Sequence, residues 1–372
     1  MLAGPSGHLH LPVVGLTGAK PAPPIEELRP YVRKLALLVP QIRHLWEDRE
    51  KLIAQRDGLQ SQNKQLSAEI ASLRETLRDH PAAQPLLADK LTYAQVIGDA
   101  SFIPSEPTNM GIQAGLCRQR ELASDNYRYW CDQVQLPPAL HRKWWEYFFI
   151  AQVLFERGLL QENRRGLVFG VGIEPLPALF AKMGCHILTT DQAAETAVEG
   201  GWIKGGMHAA NLEQLLLRDI CPRDLFYERV SFKPMDMNAI DPELNDQFDF
   251  CWSTCSLEHL GSLEHGLRFI ENSINTLKPG GVAVHTTEFN LSSNDETIEH
   301  RDLCLYRRRD IEKVVSRLEQ AGHTVAPINF DPGGTLVDGY IDLPPYHSEP
   351  HMRIQVGEFS CTSIGLIITC GQ

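Results

Sequence analysis

"GLVFGVGIEPLPALFAKMGCHILTTDQ", residues 166–192, reads as an apolar run, a tight glycine turn, a helix, and a second apolar run that closes on an acid. Leu167, Val168 and Phe169 predict a short buried strand. Gly170 and Gly172 permit the turn and let a ligand approach the backbone closely. Pro175 and Pro177 suit the first turn of a helix, where a missing amide costs no hydrogen bond. Cys185 to Thr190 predict the next strand, with Asp191 at its carboxyl end. An acid at that place can accept both hydroxyls of a ribose.

One position departs from the dinucleotide pattern. Glu174 stands where the third glycine is usual. A pyrophosphate rests on the helix N-terminus, which favours negative charge. A carboxylate beside it opposes that binding, since two unit charges about 4 Å apart near a surface repel by roughly 4 kcal/mol. A cationic ligand reverses the sign. S-adenosylmethionine is such a ligand, with an adenosine, an ammonium group, a sulfonium and no phosphate. The competing expectation is that Glu174 caps its own helix.

Downstream, strands and helices alternate, which indicates a mostly parallel sheet. "VSFKPMDMNAI" (230–240) supplies a strand and a turn with Asp236 and Met237. "FDFCWSTCSLEHLGSLEHGLRFIENSINTLKPGGVAVHTTEFN" (248–290) supplies a strand, a helix and a second strand that follows a Pro-Gly-Gly turn. "RRRDIEKVVSRLEQAGHTV" (307–325) is a helix, and "TSIGLIITC" (362–370) a closing strand. In this order the segments resemble class I S-adenosylmethionine-dependent methyltransferases over about residues 166–372. The resemblance implies a Rossmann-like, seven-stranded, mostly parallel α/β sheet with an antiparallel last strand. It implies S-adenosylmethionine as cofactor, with Asp236 facing the adenine amino group and Met237 the ring. Gly170, Gly172, Glu174, Asp191 and Ser256 complete the expected cofactor site. Val168 stands where the family often carries an acid, a departure at the methionine end of the expected site.

Methyl transfer from a sulfonium is an in-line displacement, so alignment carries much of the catalysis. A hydroxyl acceptor also needs a base, for which histidine suits neutral pH. Ligands of open α/β sheets bind at the carboxyl ends of strands. That singles out Ser256, Glu258 and His259 after one strand, and His285, Thr287, Glu288 and Asn290 at the end of the next. The catalytic candidates are His259, His285 and Glu288. His259 matches a histidine in the family's "EH" pair, with a structural capping contact as the equal alternative. A divalent metal held by Glu288, Asn290, Asp295 and Glu296 is conceivable but less favoured than solvated loop acids. The segment 330–359 is an insertion carrying Tyr340, Tyr346, His347, Glu349 and His351. Its prolines exclude a helix that would display a histidine pair to zinc, which favours a lid or substrate contact.

The first half of the chain has another texture. Residues 1–25 read as a flexible lead rich in Gly and Pro. Leu45, Leu52, Leu59, Leu66 and Leu73 then recur at sevens, with Ile42, Arg49, Arg56, Asn63, Ile70 and Leu77 at the a positions. Residues 26–80 are therefore expected to form a coiled coil and a homo-oligomer, with a packed amphipathic helix as the alternative. Residues 81–160 are expected to be a helical linker and lid, and "HRKWWEYFFIAQVLFERGLL" (141–160) a packing helix. Residues 161–372 are expected to be the catalytic domain.

Composition bounds the remaining possibilities. A net charge of −12 over 372 residues argues against nucleic acid as the main partner. No apolar run is long enough for a transmembrane segment, and the start lacks the pattern of a signal peptide. Nine cysteines without a CxxC pair are expected to be free thiols in a cytoplasmic protein. The leading expectation is O-methylation of a sugar or glycan intermediate in polysaccharide or secondary-metabolite synthesis. A coiled-coil scaffold with a ligand-binding but non-catalytic domain is the alternative. A nucleotide-dependent dehydrogenase is disfavoured by Glu174.

Overall fold

The computed structural model describes residues 51–56, 58, 61, 92–98, 101–193, 209, 211–217 and 219–371. The chain divides into two units, residues 1–87 and 88–372. In the first, residues 51–56, 58 and 61 are helical. The flexible lead, the rest of the heptad seam and the oligomer expected from it lie outside the described residues.

After a helical turn at Tyr93–Val96, the second unit continues with strand β1 (Ala114–Leu116), a second helical turn at Gln119–Leu122, and helices α1 (Asp125–Gln133) and α2 (Arg142–Glu156). Strand β2 (Arg165–Phe169), helix α3 (Leu176–Lys182) and strand β3 (His186–Asp191) follow, as residues 166–192 predict. Next come α4 (Arg223–Arg229), β4 (Val230–Pro234), β5 (Phe248–Thr254), α5 (Leu263–Ser273) and β6 (Leu277–Asn290). The chain continues through β7 (Glu299–His300), β8 (Leu303–Cys304), α6 (Arg308–Gln320), β9 (Thr324–Val325) and β10 (Ile328–Asn329). It closes with the hairpin of β11 (Ile354–Val356) and β12 (Phe359–Thr369).

Local chemistry sets several of these boundaries. Ser124 and Ser262 cap α1 and α5 by accepting the amides of Tyr127 and His265. Helix α6 buries Ile311, Val314 and Leu318 on one stripe and leaves its arginines and glutamates outside.

The sheet runs β10-β1-β12-β6-β5-β2-β3-β4, with β9 and β11 also paired to β12. Strands β2 to β6 are mutually parallel. Strand β12 lies antiparallel to β6, in register from Cys361 opposite Asn290 to Thr369 opposite Val282. The sheet is thus mixed α/β and Rossmann-like, with the reversed last strand that the sequence implies. It has 10 strands, not seven, because short segments and the 354–369 hairpin widen one edge. One of these additions is β1, so the segment expected to be helical linker and lid also supplies a strand.

Two apolar layers cover the sheet. Trp130, Trp145, Phe148, Phe149 and Phe180 fill one face, and Leu267, Phe269, Ile270, Ile311 and Leu318 the other. Helix α2 reaches the sheet closely because β12 carries Gly365 beneath it, where a Cβ would meet Phe149 Cε1 at 2.2 Å. Burying aromatic side chains at this density stabilises by about 1.5–3 kcal/mol each. All nine cysteines are free, and all but Cys370 are buried. Among the described residues no helix is long and apolar enough to cross a membrane.

Strand order reverses between β2 and β5, since β3 follows on one side of β2 and β5 lies on the other. Open α/β sheets bind ligands in the crevice that this reversal leaves at the carboxyl ends of the strands.

Candidate active site

A cleft of about 920 Å³ occupies that crevice. Its first wall is the glycine turn after β2. Gly170 and Gly172 adopt φ +58° and +52°, a region that L side chains rarely enter. A Cβ on Gly170 would meet Ser256 Cβ at 2.8 Å and Met237 Sδ at 3.0 Å. Ser256 Oγ donates to the Gly170 carbonyl at 3.0 Å, which ties the ends of β2 and β5 together.

Asp191, at the tip of β3, lines the same wall. Its carboxylate accepts the amides of Gly172 at 2.9 Å and Gln192 at 2.8 Å. The acid is thereby fixed beside the turn. Asp236, exposed after β4, accepts the Asn238 amide at 2.8 Å and holds its own turn open to the cleft. All seven residues assigned to the cofactor from sequence line this one cleft: Gly170, Gly172, Glu174, Asp191, Asp236, Met237 and Ser256.

Glu174 is buried at 3% exposure. Its Oε1 accepts Trp252 Nε1 of β5 at 2.7 Å. Burial pushes its carboxyl up to about 7, against the pull of its hydrogen bonds. The N-cap of α3 is Pro175, and the Glu174 carboxylate is directed to β5.

The other end of the cleft is floored by charge. Arg142 Nη1 meets Glu288 Oε1 at 2.5 Å and Glu146 Oε1 at 3.6 Å. Lys143 Nζ meets Glu146 Oε2 at 3.4 Å. Glu146 also accepts from Ser363 Oγ at 2.5 Å and Cys255 Sγ at 3.1 Å. Glu258 accepts Thr287 Oγ1 at 3.0 Å. Burial raises the Glu258 carboxyl above its ordinary range. It would raise Glu288 too, but the Arg142 and Lys143 cations outweigh it and hold Glu288 low. Two neighbouring carboxylates thus differ in proton affinity. That split is how one site keeps an acid and a base apart.

Donor atoms of Cys255, Glu258 and Glu288 lie within 4.8 Å of one another, a spacing a metal ion can use. Arg142 already neutralises Glu288 there, and burial keeps the Cys255 thiol protonated. The donor set therefore does not fit a cation well. Asn290, Asp295 and Glu296 do not join it. Asn290 braces the following turn, accepting from the amides of Ser292 and Ser293, and Asp295 pairs with Arg309.

The three catalytic candidates are separated. Glu288 and His259 line the cleft. His259 Nδ1 donates to the Asp302 carbonyl at 2.6 Å, so its ring also holds the 300–303 turn. His285 does not reach the cleft. It is fully buried between Ser253 Oγ, 2.8 Å from Nδ1, and Ser273 Oγ, 3.0 Å from Nε2. Burial lowers it to about 3. The expectation of His285 as a base is therefore corrected. Its position on β6 turns the ring toward α5, not toward the ligand.

In the insertion, Tyr346 lines the cleft. His347 and His351 both bond the buried Asp342 carboxylate, at 2.8 and 2.7 Å. Glu349 accepts the amides of Tyr93 and Leu140 at 3.0 Å. These contacts staple the segment to the body of the unit.

Sequence reading missed what α2 brings. Arg142, Lys143 and Tyr147 line the cleft, and Glu146 lies behind them. The available signal was spacing. Arg142, Glu146 and Phe149 share one helical face, and a buried acid among aromatics needs a partner cation.

No family model and no curated protein matches the chain. Solved structures do match part of it. A methyltransferase from Mesorhizobium loti, described as S-adenosylmethionine dependent, is 13% identical, with 57% of this chain and 92% of that one covered and a TM-score of 0.36. One from Clostridium acetobutylicum, described likewise, is 14% identical, with 66% and 92% covered and a TM-score of 0.35. The Burkholderia thailandensis 1,6-didemethyltoxoflavin-N1-methyltransferase, solved with that compound and S-adenosylhomocysteine, is 14% identical, with 60% and 76% covered and a TM-score of 0.34. From its own strand order, its reversed last strand and its cleft at the carboxyl ends of β2 to β6, residues 88–372 have the Rossmann-like fold of class I S-adenosylmethionine-dependent methyltransferases.

Proposed function

We propose that this chain is an S-adenosylmethionine-dependent methyltransferase that methylates a hydroxyl of a sugar or glycan intermediate. The cofactor half of the reading rests on fit. The turn at Gly170 leaves no room for a Cβ, Asp191 is fixed beside it, and Glu174 is a buried carboxylate suited to a cation. Gly170, Gly172, Asp191, Asp236, Met237 and Ser256 would hold the adenosine and its ribose. When bound, the cofactor supplies a methyl group on an electrophilic sulfonium.

The chain's own residues do the rest. The cleft, near the upper end of the roughly 300–1,000 Å³ usual for small-molecule sites, admits an acceptor beside the cofactor. The observation that carries the hydroxyl reading is the Glu258 and Glu288 pair on the cleft floor. Arg142 keeps Glu288 ionised, so Glu288 orients polar groups and does not take a proton. Burial raises the proton affinity of Glu258 toward the operating pH, which is what a general base requires. His259, beside it, is the second candidate base. Tyr147 and Tyr346 also line the cleft and add aromatic surface for an acceptor's apolar side. General base catalysis of this kind contributes about 10²–10⁴ in rate.

The test is transfer of isotopically labelled methyl from S-adenosylmethionine to a panel of sugars, sugar nucleotides and polysaccharides. Label recovered as an O-methyl ether supports the reading. Label appearing only on nitrogen, carbon or sulfur acceptors of a parallel panel overturns the hydroxyl assignment.

A further inference from the structure

The cations at the floor of the cleft are committed, Arg142 to Glu288 and Glu146, and Lys143 to Glu146. Glu174 has no such ion pair among the described residues, although it is buried at least as deeply as Arg142. The hydrogen-bonding groups beside it are neutral, the indole of Trp252, which donates at 2.7 Å, and the hydroxyl of Thr254. The charged groups that face it are Glu146 and Lys143 of α2, which act in opposite directions. A carboxylate removed from water without a cation is strongly disfavoured, and it resolves the conflict by holding a proton or by gaining a cationic partner.

The cleft wall supplies a second observation. Glu174 follows the Gly170–Gly172 turn directly and lines the same cleft as Asp191. A ligand whose ribose lies at Asp191 therefore runs along that turn past Glu174.

We propose that Glu174 is the counter-ion of the cofactor's α-ammonium group and that its carboxyl gives up a proton to solvent as the ammonium docks. This deepens the cofactor reading above and rests on it. The O–H bond of the Glu174 carboxylic acid breaks, its electron pair stays on the carboxylate, and the ligand stays fully protonated. Burial, helped by the Glu146 carboxylate, holds the free carboxyl up at about 7, so the proton is largely present in the empty cleft below neutral pH. The site then takes a cationic adenosyl ligand and disfavours a dinucleotide, whose phosphates meet the carboxylate.

The experiment is calorimetric titration of the full chain with S-adenosylhomocysteine, repeated in buffers of different protonation enthalpy. Proton release of roughly one per ligand at pH 6, fading by about pH 8, is expected, with affinity about tenfold higher at the upper pH. Glu174→Gln keeps an acceptor for Trp252 but cannot ionise, so both the release and the pH dependence should vanish. 5′-Methylthioadenosine, which lacks the ammonium, should bind the unaltered chain with no proton release, so the test stands even if the variant fails to fold. Binding of S-adenosylhomocysteine without proton release, or with the same release in Glu174→Gln, overturns the proposal and leaves the cofactor reading intact. No binding of either nucleoside removes both.

Discussion

Arg142 at the start of α2 and Glu288 near the end of β6 meet on the floor of the cleft, Nη1 to Oε1 at 2.5 Å, with about nine-tenths of each side chain buried. Elements separated by most of the sheet's sequence are thereby joined at the place where an acceptor would lie. The pair also sets the protonation of its surroundings. With Glu288 held ionised, the neighbouring Glu258 is the carboxyl that titrates upward.

Removing the cation leaves Glu288 buried and uncompensated. Arg142→Met is expected to destabilise the second unit by about 3–5 kcal/mol at neutral pH. The loss should shrink in acid. A carboxyl held low in the fold contributes stability above its unfolded pKa and loses it as pH falls through the folded value. Urea unfolding at pH 7 and at about pH 3.5, below the unfolded carboxyl value, measures both. A change below about 1 kcal/mol at pH 7 contradicts the assignment.

Glu174 has the opposite sign. Its folded pKa is raised to about 7 by burial, so between its unfolded value and that point the native state holds the extra proton. Stability therefore falls as pH rises through this window. Glu174→Gln should be nearly neutral at pH 5 and stabilising by about 1–3 kcal/mol at pH 8 without ligand. Equal midpoints for both proteins at both pH values would refute a buried, unpaired carboxylate.

His285 is a packing residue. His285→Ala should cost about 2 kcal/mol or more by opening a cavity and leaving the Ser253 hydroxyl unpaired, since Ser273 keeps its bond to the Ile270 carbonyl, while cofactor titrations stay unchanged. Its pKa is lowered to about 3 by burial, so its contribution is present above about 6.5 and is lost as pH falls toward 3. A loss of cofactor binding at unchanged stability would return the residue to the site.

Asp191 tests the adenosine end. Asp191→Ala should weaken S-adenosylmethionine binding at least tenfold, about 1.4 kcal/mol. The same variant also loses the acceptor for the Gly172 amide. Asp191→Asn, which keeps an acceptor there, separates the two effects. Unchanged affinity in both variants would remove the role.

Legibility in the sequence followed distance along the chain. The β2-α3-β3 unit was readable because a strand, a glycine turn, a helix and a terminal acid fall within 27 residues, each with its own local signal. The closing strand was readable from its apolar run, and its reversed direction from the family pattern. The widened edge was not, because strands of two or three residues such as β1 and β10 carry no periodicity. The floor of the cleft was half readable. Glu288 and the Glu258-His259 pair follow strands, where ligands are expected, but Arg142 and Lys143 arrive from an aromatic helix more than 100 residues away. His285 misled for the complementary reason. On a strand buried on both faces, alternation does not say which face holds the ligand.

The most direct test of the central claim is calorimetric titration of the purified chain with S-adenosylmethionine and, separately, with NAD. Saturable micromolar binding of S-adenosylmethionine with no response to NAD is the predicted result. Binding of NAD, or of neither ligand, would contradict the account built on Glu174 and Asp191.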